Sequence, residues 1–474
     1  MNVLLINPPY IKGYSRASRS AAVTKSGTLY YPIFLGYLAA FLEKNNFKIK
    51  LIDAIADDLD IDKIFNIICE FQPSAVICDA SPPSGKCDAQ FLDALKTKFP
   101  KIKCVLVGQY PTFYSNELLN ADYSFDAFII KEYDDAVLKY LTVSQPNLNN
   151  LFIKAGGKFL QNGYSQPNTV ELDEFPFVSK IFFKNLDIKK YFYSAVNYPV
   201  ITILASRGCP YKCSFCALPS YFYLKYRQRS IENLIQEFEF IKSTMPYIKT
   251  VFLEDDSFNA NLDYLKEFCK AKIKFNNQLE WAINFSPANY DEESIALLKQ
   301  ANCKLLVIGY ETANNNILKK IGKKNTSVEK YFELTNLIKK YKINIHGCFI
   351  FGLPSETEQD AKNTIKTAIK LNPDTVQFFP MMINPHTDLF YYYKYNNYLL
   401  TEQSDYNTID GLHHTNVSTN ELPADKIMAL CAAARKRFYF RFSYIFRRFL
   451  KSFGSMYEFK RFIRVIRAAL RTIR

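Results

Sequence analysis

Twice along this chain, short apolar segments alternate with amphipathic helical ones, and that repeated alternation leaves few folds open. The first series occupies the opening 140 residues. MNVLLIN reads as a buried strand stopped by Pro8-Pro9, and Ile33 to Asn45 carries apolar residues at helical spacing. Strand KIKLIDA, helix Ile61 to Phe71, strand SAVICDAS, helix Ala89 to Phe99, strand IKCVLVG and strand DAFII follow. Such strands separated by helices predict an α/β, doubly wound parallel sheet, with ligands at the carboxyl ends of the strands. Those ends are Asn7-Pro8-Pro9, Asp79-Ala80-Ser81-Pro82, Gly108-Gln109-Tyr110 and Lys131-Glu132. Residues 142–196 are rich in Asn, Gln and Pro, which predicts a linker with a small hairpin around Gly156-Gly157. The second series starts near Val200 with VITILAS, TVFLED, LEWAINF, CKLLVIG, NIHGCFIFG and DTVQFFP. Six βα units predict a partial barrel whose reactive face is its carboxyl end. The expected division is 1–141, 142–196, 197–400 and a C-terminal extension over 401–474.

Length and charge narrow the function classes. A chain of 474 residues, 48% hydrophobic and 22% charged, can bury two or three cores, which excludes a disordered linker or a disulfide-stapled miniprotein. No run of about eighteen uncharged apolar residues appears, and the first strand begins at once without a secretory layout, so a cytoplasmic protein is expected. The net charge of +14 is unevenly placed. From Arg435 to Arg474 thirteen Lys or Arg stand against one acid, Glu458, and the rest of the chain carries only +2. Within Tyr457 to Arg474, Lys460, Arg464, Arg467, Arg471 and Arg474 follow helical spacing beside a separate apolar stripe that includes Phe459, Phe462, Ile466 and Leu470. That pattern predicts a basic amphipathic helix, either in peripheral contact with an anionic membrane at its inner face or packed on its own protein. The near-neutral body argues against nucleic acid as the partner.

Eleven cysteines in a chain without export signals do not suggest a disulfide framework. Three of them cluster directly after the first strand of the second series, as Cys209-Pro-Tyr-Lys-Cys213-Ser-Phe-Cys216. A four-iron cluster normally takes four thiolates, so three close cysteines with no fourth nearby leave one iron open. Structural zinc needs a closed set of four ligands, and none of Cys269, Cys303 or Cys348 stands in a second paired knuckle.

This C-x3-C-x-aromatic-C run heads a partial barrel. Arg227-Gln228-Arg229-Ser230, Phe252 to Phe258, Ile308-Gly309-Tyr310-Glu311-Thr312 and Phe349 to Thr357 follow it in order. Together they resemble the radical S-adenosylmethionine (SAM) superfamily. The resemblance implies a TIM-like partial (β/α)6 barrel in which Cys209, Cys213 and Cys216 bind a 4Fe-4S cluster. The open iron would chelate SAM, and an electron from a flavodoxin- or ferredoxin-type donor would cleave it to a 5′-deoxyadenosyl radical. Phe215 would lie against adenine, Glu311 on the SAM ribose or amino group, Asp255 and Asp256 at the ammonium, and the Gly352 backbone against adenine. The bland alternatives are a solvated turn for Glu311 and helix capping for the aspartate pair. Tyr310 and His346 are candidates for proton or radical management, with plain strand packing as the rival reading.

The N-terminal half resembles the Rossmann-like cobalamin-binding domain fused to many of these enzymes. That resemblance places Asn7, Pro8, Ser81, Gly108, Gln109, Tyr110 and Glu132 at the cobalamin. All four histidines (His346, His386, His413 and His414) lie outside this half, so the D-x-H-x-x-G ligand is missing and a histidine-off mode is implied. Gln109 and Lys131 depart from the family's usual glycines. The implied activity is cobalamin-dependent methylation of an unactivated carbon in a small-molecule or lipid-like substrate, with radical cyclisation or oxidative rearrangement as the alternative. A tRNA-modifying methylthiotransferase would need a second cysteine triad, for which Cys69, Cys78, Cys87 and Cys104 lack the spacing.

Overall fold

The structure is a computed structural model that describes residues 1–16, 21–24, 26–221, 226–404 and 411–453. The expected tail helix over 457–474 lies outside the described residues. The two alternating series form two main sheets. In the first, β1 (Asn2–Asn7), β2 (Lys48–Asp53), β3 (Ala75–Asp79), β4 (Lys103–Val107) and β5 (Ala127–Ile129) are parallel, in the order β2-β1-β3-β4-β5. Leu5 stands beside Leu51 on one flank of β1, and Ile6 beside Cys78 on the other. The order reverses at β1, which opens a crevice at the carboxyl ends of β1 and β3. Helices α1 (Ile33–Lys44), α2 (Ile61–Phe71) and α3 (Gly85–Lys98) bury their apolar faces against this sheet.

The stretch expected to be a linker is packed structure. Its hairpin, β6 (Leu151–Ala155) and β7 (Lys158–Gln161), continues the first sheet antiparallel to β5. Phe128 of β5 stacks on Phe152 of β6 with ring centroids 4.5 Å apart. The short β5 would otherwise leave unpaired backbone at a sheet edge, which the hairpin covers. Further on, α4 (Val178–Asn185) sets Val178 and Phe182 against Gly36 of α1, and Phe175 packs on Tyr37 and Phe41. Asn and Pro content marked the turns and hid the aromatic contacts between them.

The second sheet runs in chain order through β8 (Val200–Ile203), β9 (Thr250–Leu253), β10 (Glu280–Phe285), β11 (Cys303–Glu311), β12 (Asn344–Phe351) and β13 (Thr375–Pro380), all parallel. Between strands run helices such as α5 (Ile231–Thr244), capped by Ser230, and α6 (Glu358–Leu371), capped reciprocally by Thr357 and Asp360. The barrel is open between β8 and β13, so β13 is an edge. Helix α7 (Ala424–Tyr439) covers it: the Tyr439 hydroxyl accepts the Val376 N–H at 2.9 Å and donates to the Val376 carbonyl at 2.6 Å, and Arg435 donates to the Phe378 carbonyl at 3.2 Å. Helix α8 (Phe442–Ser452) follows, with Tyr444 and Arg448 both donating to the Asp374 carbonyl.

Candidate active site

The cysteine loop leaves the carboxyl end of β8, where Ser206–Arg207 pairs antiparallel with Arg227–Gln228. The loop is pinned by backbone hydrogen bonds, from Ser214 N–H to the Ile321 carbonyl (3.0 Å) and from Leu389 N–H to the Ser214 carbonyl (3.0 Å). Cys209, Cys213 and Cys216 are each half-buried, and all three line one cavity of about 1180 Å³ together with Phe215. Burial pushes the Cys213 thiol up, and pushes Cys216 to about 12, with Asp256 and the other two cysteines adding to it. Two thiols made costly to ionise, beside a third on the same short loop, suit a cationic cluster, because a coordinated thiol is deprotonated outright. Among the described residues no three His, Cys, Asp or Glu side chains converge to hold a single ion. A polynuclear cluster anchors each thiolate at a different metal corner and does not require such convergence.

Glu311 closes β11 with φ +64° and lines the cavity, paired with Lys323 at 2.8 Å. Lys323 also donates to the Gly309 carbonyl at 2.5 Å. The sequence did not single out Lys323, since no periodicity marks a lysine in a turn after the next short helix. The aspartate pair is split. Asp255 is 1% exposed, and its Oδ1 accepts the N–H groups of Ala205 (2.7 Å) and Ser206 (3.0 Å), so it holds the entry to the cysteine loop from beneath. Burial pushes its carboxyl up to about 7. Asp256 faces the cavity.

Gly352 lies outside the cavity lining. Its φ is +94°, and a Cβ there would meet Ile427 of α7 at 2.8 Å, while its carbonyl receives the Tyr393 hydroxyl at 2.7 Å. The backbone approach that glycine permits is therefore to α7. Tyr310 is buried behind the sheet, bonded to Thr335 at 2.7 Å. His346 lines the cavity, its Nδ1 2.7 Å from the Thr375 hydroxyl.

Burial pushes the His346 pKa down from 6.5 to about 4. Below pH 6.5 the unfolded chain therefore takes a proton that the folded one refuses, and stability falls with pH until about 4. Replacing His346 by Gln is expected to flatten this acid limb, recovering on the order of 1–2 kcal/mol at pH 5. Denaturation midpoints across that range check it, and identical slopes for both proteins would refute the assignment.

From the first sheet only Gln109 among the expected residues lines the same cavity, accompanied by Phe113, Ile33 and Phe34. Asn7 is buried at the carboxyl end of β1 with its Oδ1 unpartnered among the described residues. Gly108 has φ +105°, and a Cβ there would collide with the Asp79 carboxylate and the Ala80 backbone. Pro8 accepts from Arg16 through its carbonyl (2.8 Å), and Ser81 bonds Tyr14 (2.9 Å) and Ser84 (2.8 Å). Deeper in the crevice Arg16 forms a buried ion pair with Asp88. Tyr110 packs flat on Gly85, with its hydroxyl donating to Glu117 at 3.1 Å. Glu132 is held in ion pairs by Arg207 (2.9 Å) and Arg227 (2.6 Å) of the short antiparallel ribbon in the second half, so its carboxylate joins the two halves. An orphan amide oxygen at the switch point and an apolar mouth beside it fit a large, flat group bearing amide donors, such as cobalamin.

The comparisons agree with this geometry. Residues 203–368 match the family model of the Radical SAM superfamily, and residues 19–141 that of the B12 binding domain. An uncharacterized methyltransferase of Pyrococcus horikoshii is 28% identical over 93% of each chain. The anaerobic magnesium-protoporphyrin IX monomethyl ester cyclase of Rubrivivax gelatinosus is 26% identical over 82% of this chain and 69% of its own. The solved structure of the radical S-adenosylmethionine methyltransferase TsrM from Kitasatospora setae, with tryptophan and a SAM analogue bound, is alike in fold. Its TM-score is 0.66 at 16% identity, covering 82% of this chain and 74% of that one.

Proposed function

We propose that this chain, a radical SAM protein carrying a B12-binding domain, is a cobalamin-dependent methyltransferase that acts on an unactivated carbon of a small molecule. The observation that carries the reading is one cavity lined jointly by the three cysteines, by Glu311 and Lys323, and by Gln109 and Phe113 of the B12-binding half. When bound, the cluster, SAM and cobalamin supply reductive cleavage of the sulfonium, a hydrogen-abstracting 5′-deoxyadenosyl radical and a methyl carrier.

The protein's share is holding and shielding. Cys209, Cys213 and Cys216 would ligate the cluster, reduced by an external flavodoxin- or ferredoxin-type donor. Lys323 offers a cation to the co-substrate's carboxylate, while Glu311 and Asp256 offer acceptors to its amino group and ribose hydroxyls. Phe215 gives adenine an apolar face. His346 is neutral near pH 7 and would present an uncharged ring face to substrate. Gln109 would meet cobalamin from the other wall, and Asn7 from the buried switch point at the end of β1.

Anaerobic reconstitution with iron, sulfide and cobalamin tests this. Formation of 5′-deoxyadenosine from SAM under a reductant is expected, whereas an iron-free protein holding zinc on those thiols would overturn it. The similarity to the Rubrivivax cyclase favours a second reading, radical ring closure. Cobalamin-dependent release of S-adenosylhomocysteine would support methyl transfer over it.

No helix among the described residues is long and apolar enough to cross a membrane. Peripheral contact is supported by α8, which exposes Phe442, Ile445, Phe446 and Phe449 on one face within the basic C-terminal region. Binding to vesicles containing phosphatidylglycerol is expected, weakened by salt and largely lost in a Phe446→Asp/Phe449→Asp protein. Unchanged sedimentation of the double variant would remove α8 from the membrane contact.

A further inference from the structure

We propose that α7 carries an anion-binding subsite inside the cavity, formed by Arg435 and Lys436, which anchors the carboxylate or phosphate of an otherwise apolar substrate. This rests on reading the cavity as the substrate chamber, and adds the chemical class of what enters it. Both residues line the cavity, and among the described residues no acidic side chain of α7 or α8 does so. The lining carboxylates, Glu254, Asp256 and Glu311, stand at or just past the carboxyl ends of β9 and β11. The cavity therefore has a cationic wall that its acidic groups do not neutralise.

Arg435 is the decisive group. Its Nη1 donates to the Phe378 carbonyl at 3.2 Å, which fixes the guanidinium against β13. Its Nε is buried with no partner among the described residues, which leaves part of the fork unspent. Burial works against its charge, and the groups that favour the charge are only Cys431 and Tyr439. A desolvated cation without a counter-charge is costly, and an incoming anion removes that cost. A guanidinium fork meets a carboxylate or phosphate through paired N–H groups. Lys436, exposed, adds a second positive charge next in sequence.

Position sets the rest of the ligand. Phe378 stands two residues before the carboxyl end of β13, roughly 7 Å along the strand. Beside Arg435 the ends of β12 and β13 bring Ile350, Phe378, Phe379 and Met381 into the cavity lining, which suit hydrocarbon or aromatic surface. The ligand is thus an apolar body with its reacting carbon at the cysteine loop and its anionic group at α7.

The full chain is titrated calorimetrically with dodecyl phosphate and with dodecanol, below the concentration at which either aggregates. Dodecyl phosphate is expected to bind about tenfold more tightly, the ratio a charge-assisted pair supplies. Arg435→Gln should remove that preference and Arg435→Lys retain part of it. Because Arg435 also ties down β13, the exposed Lys436→Gln is the second variant, expected to weaken dodecyl phosphate severalfold and leave dodecanol unchanged. Equal binding of the two probes, or a preference untouched by both R435Q and K436Q, overturns the proposal. Vesicles of phosphatidylcholine with and without phosphatidylglycerol separate the sources. Retention that depends on Arg435 identifies a bilayer headgroup, and binding of free dodecyl phosphate alone identifies a dissolved amphiphile. Failure of both overturns the subsite. Binding needs no turnover, so protein that cleaves SAM without an anion preference loses only this inference. Protein with the preference but no SAM cleavage loses only the proposed function.

Discussion

Cys213→Ala protein, reconstituted anaerobically with iron and sulfide, is expected to form no 5′-deoxyadenosine from SAM while the unaltered protein does. Cys213 is the middle thiol of the loop, and its carbonyl accepts the Cys216 N–H at 3.0 Å to form the turn that presents the third cysteine. Alanine keeps that backbone turn and removes only the sulfur. Two thiolates are then left for a cluster that needs three protein ligands and one open iron. Folding should change by less than about 1 kcal/mol, since one half-buried sulfur is lost and no strand or helix is touched. Cobalamin uptake should survive, because Asn7, Gly108 and Gln109 belong to the other half, at the carboxyl ends of its strands. The measurements are iron content, 5′-deoxyadenosine yield and the optical spectrum of added cobalamin. SAM cleavage at the unaltered rate would remove Cys213 from the cluster, and an equal loss of cobalamin uptake would mean that the two halves do not bind their cofactors separately.

The sequence was most informative where chemistry is local. Three thiols within eight residues, strands of three to nine residues and stops such as Pro8-Pro9 are encoded by neighbours in the chain, so the two sheets and the cysteine loop could be read directly. Side-chain direction is not local. Asp255 and Asp256 are adjacent, yet one is turned under Ala205 and Ser206 and the other into the cavity. Gly352 looked like a place for a ligand to approach, and Ile427, 75 residues later, occupies that space. Glu132 looked like a cofactor contact, and its partners Arg207 and Arg227 come from the opposite half. Lys323 went unread because its partner Glu311 lies across a turn and a short helix, and the α7 wall because its meaning depends on the barrel being open between β8 and β13, which no single segment states.

That junction carries the second large effect. Arg207→Met is expected to destabilise the protein by about 3–5 kcal/mol, the cost of leaving buried carboxylates without their cation. Arg207 is buried, bonded through Nη1 to Glu132 (2.9 Å) and Asp134 (2.6 Å), with its guanidinium 5.2 Å from the Tyr37 ring centroid and 4.6 Å from that of Phe175. Methionine keeps much of the apolar stem and removes the charge. Glu132 would retain Arg227, which approaches both of its oxygens at 2.6 Å, whereas Asp134 would lose its ion-pair partner. Burial already pushes the Asp134 carboxyl up, and without Arg207 it rises further, so the folded variant binds a proton more readily than the unfolded chain. The destabilisation is therefore largest at neutral and higher pH and shrinks as the pH falls. Asp134→Asn in the Arg207→Met background should restore much of the loss, because an amide needs no counter-charge. Denaturation midpoints for the single and double variants at pH 5 and pH 8 read out both effects. An Arg207→Met loss independent of pH and not relieved by Asp134→Asn would show that packing on Tyr37 and Phe175, and not charge, joins the B12-binding half to the cysteine loop.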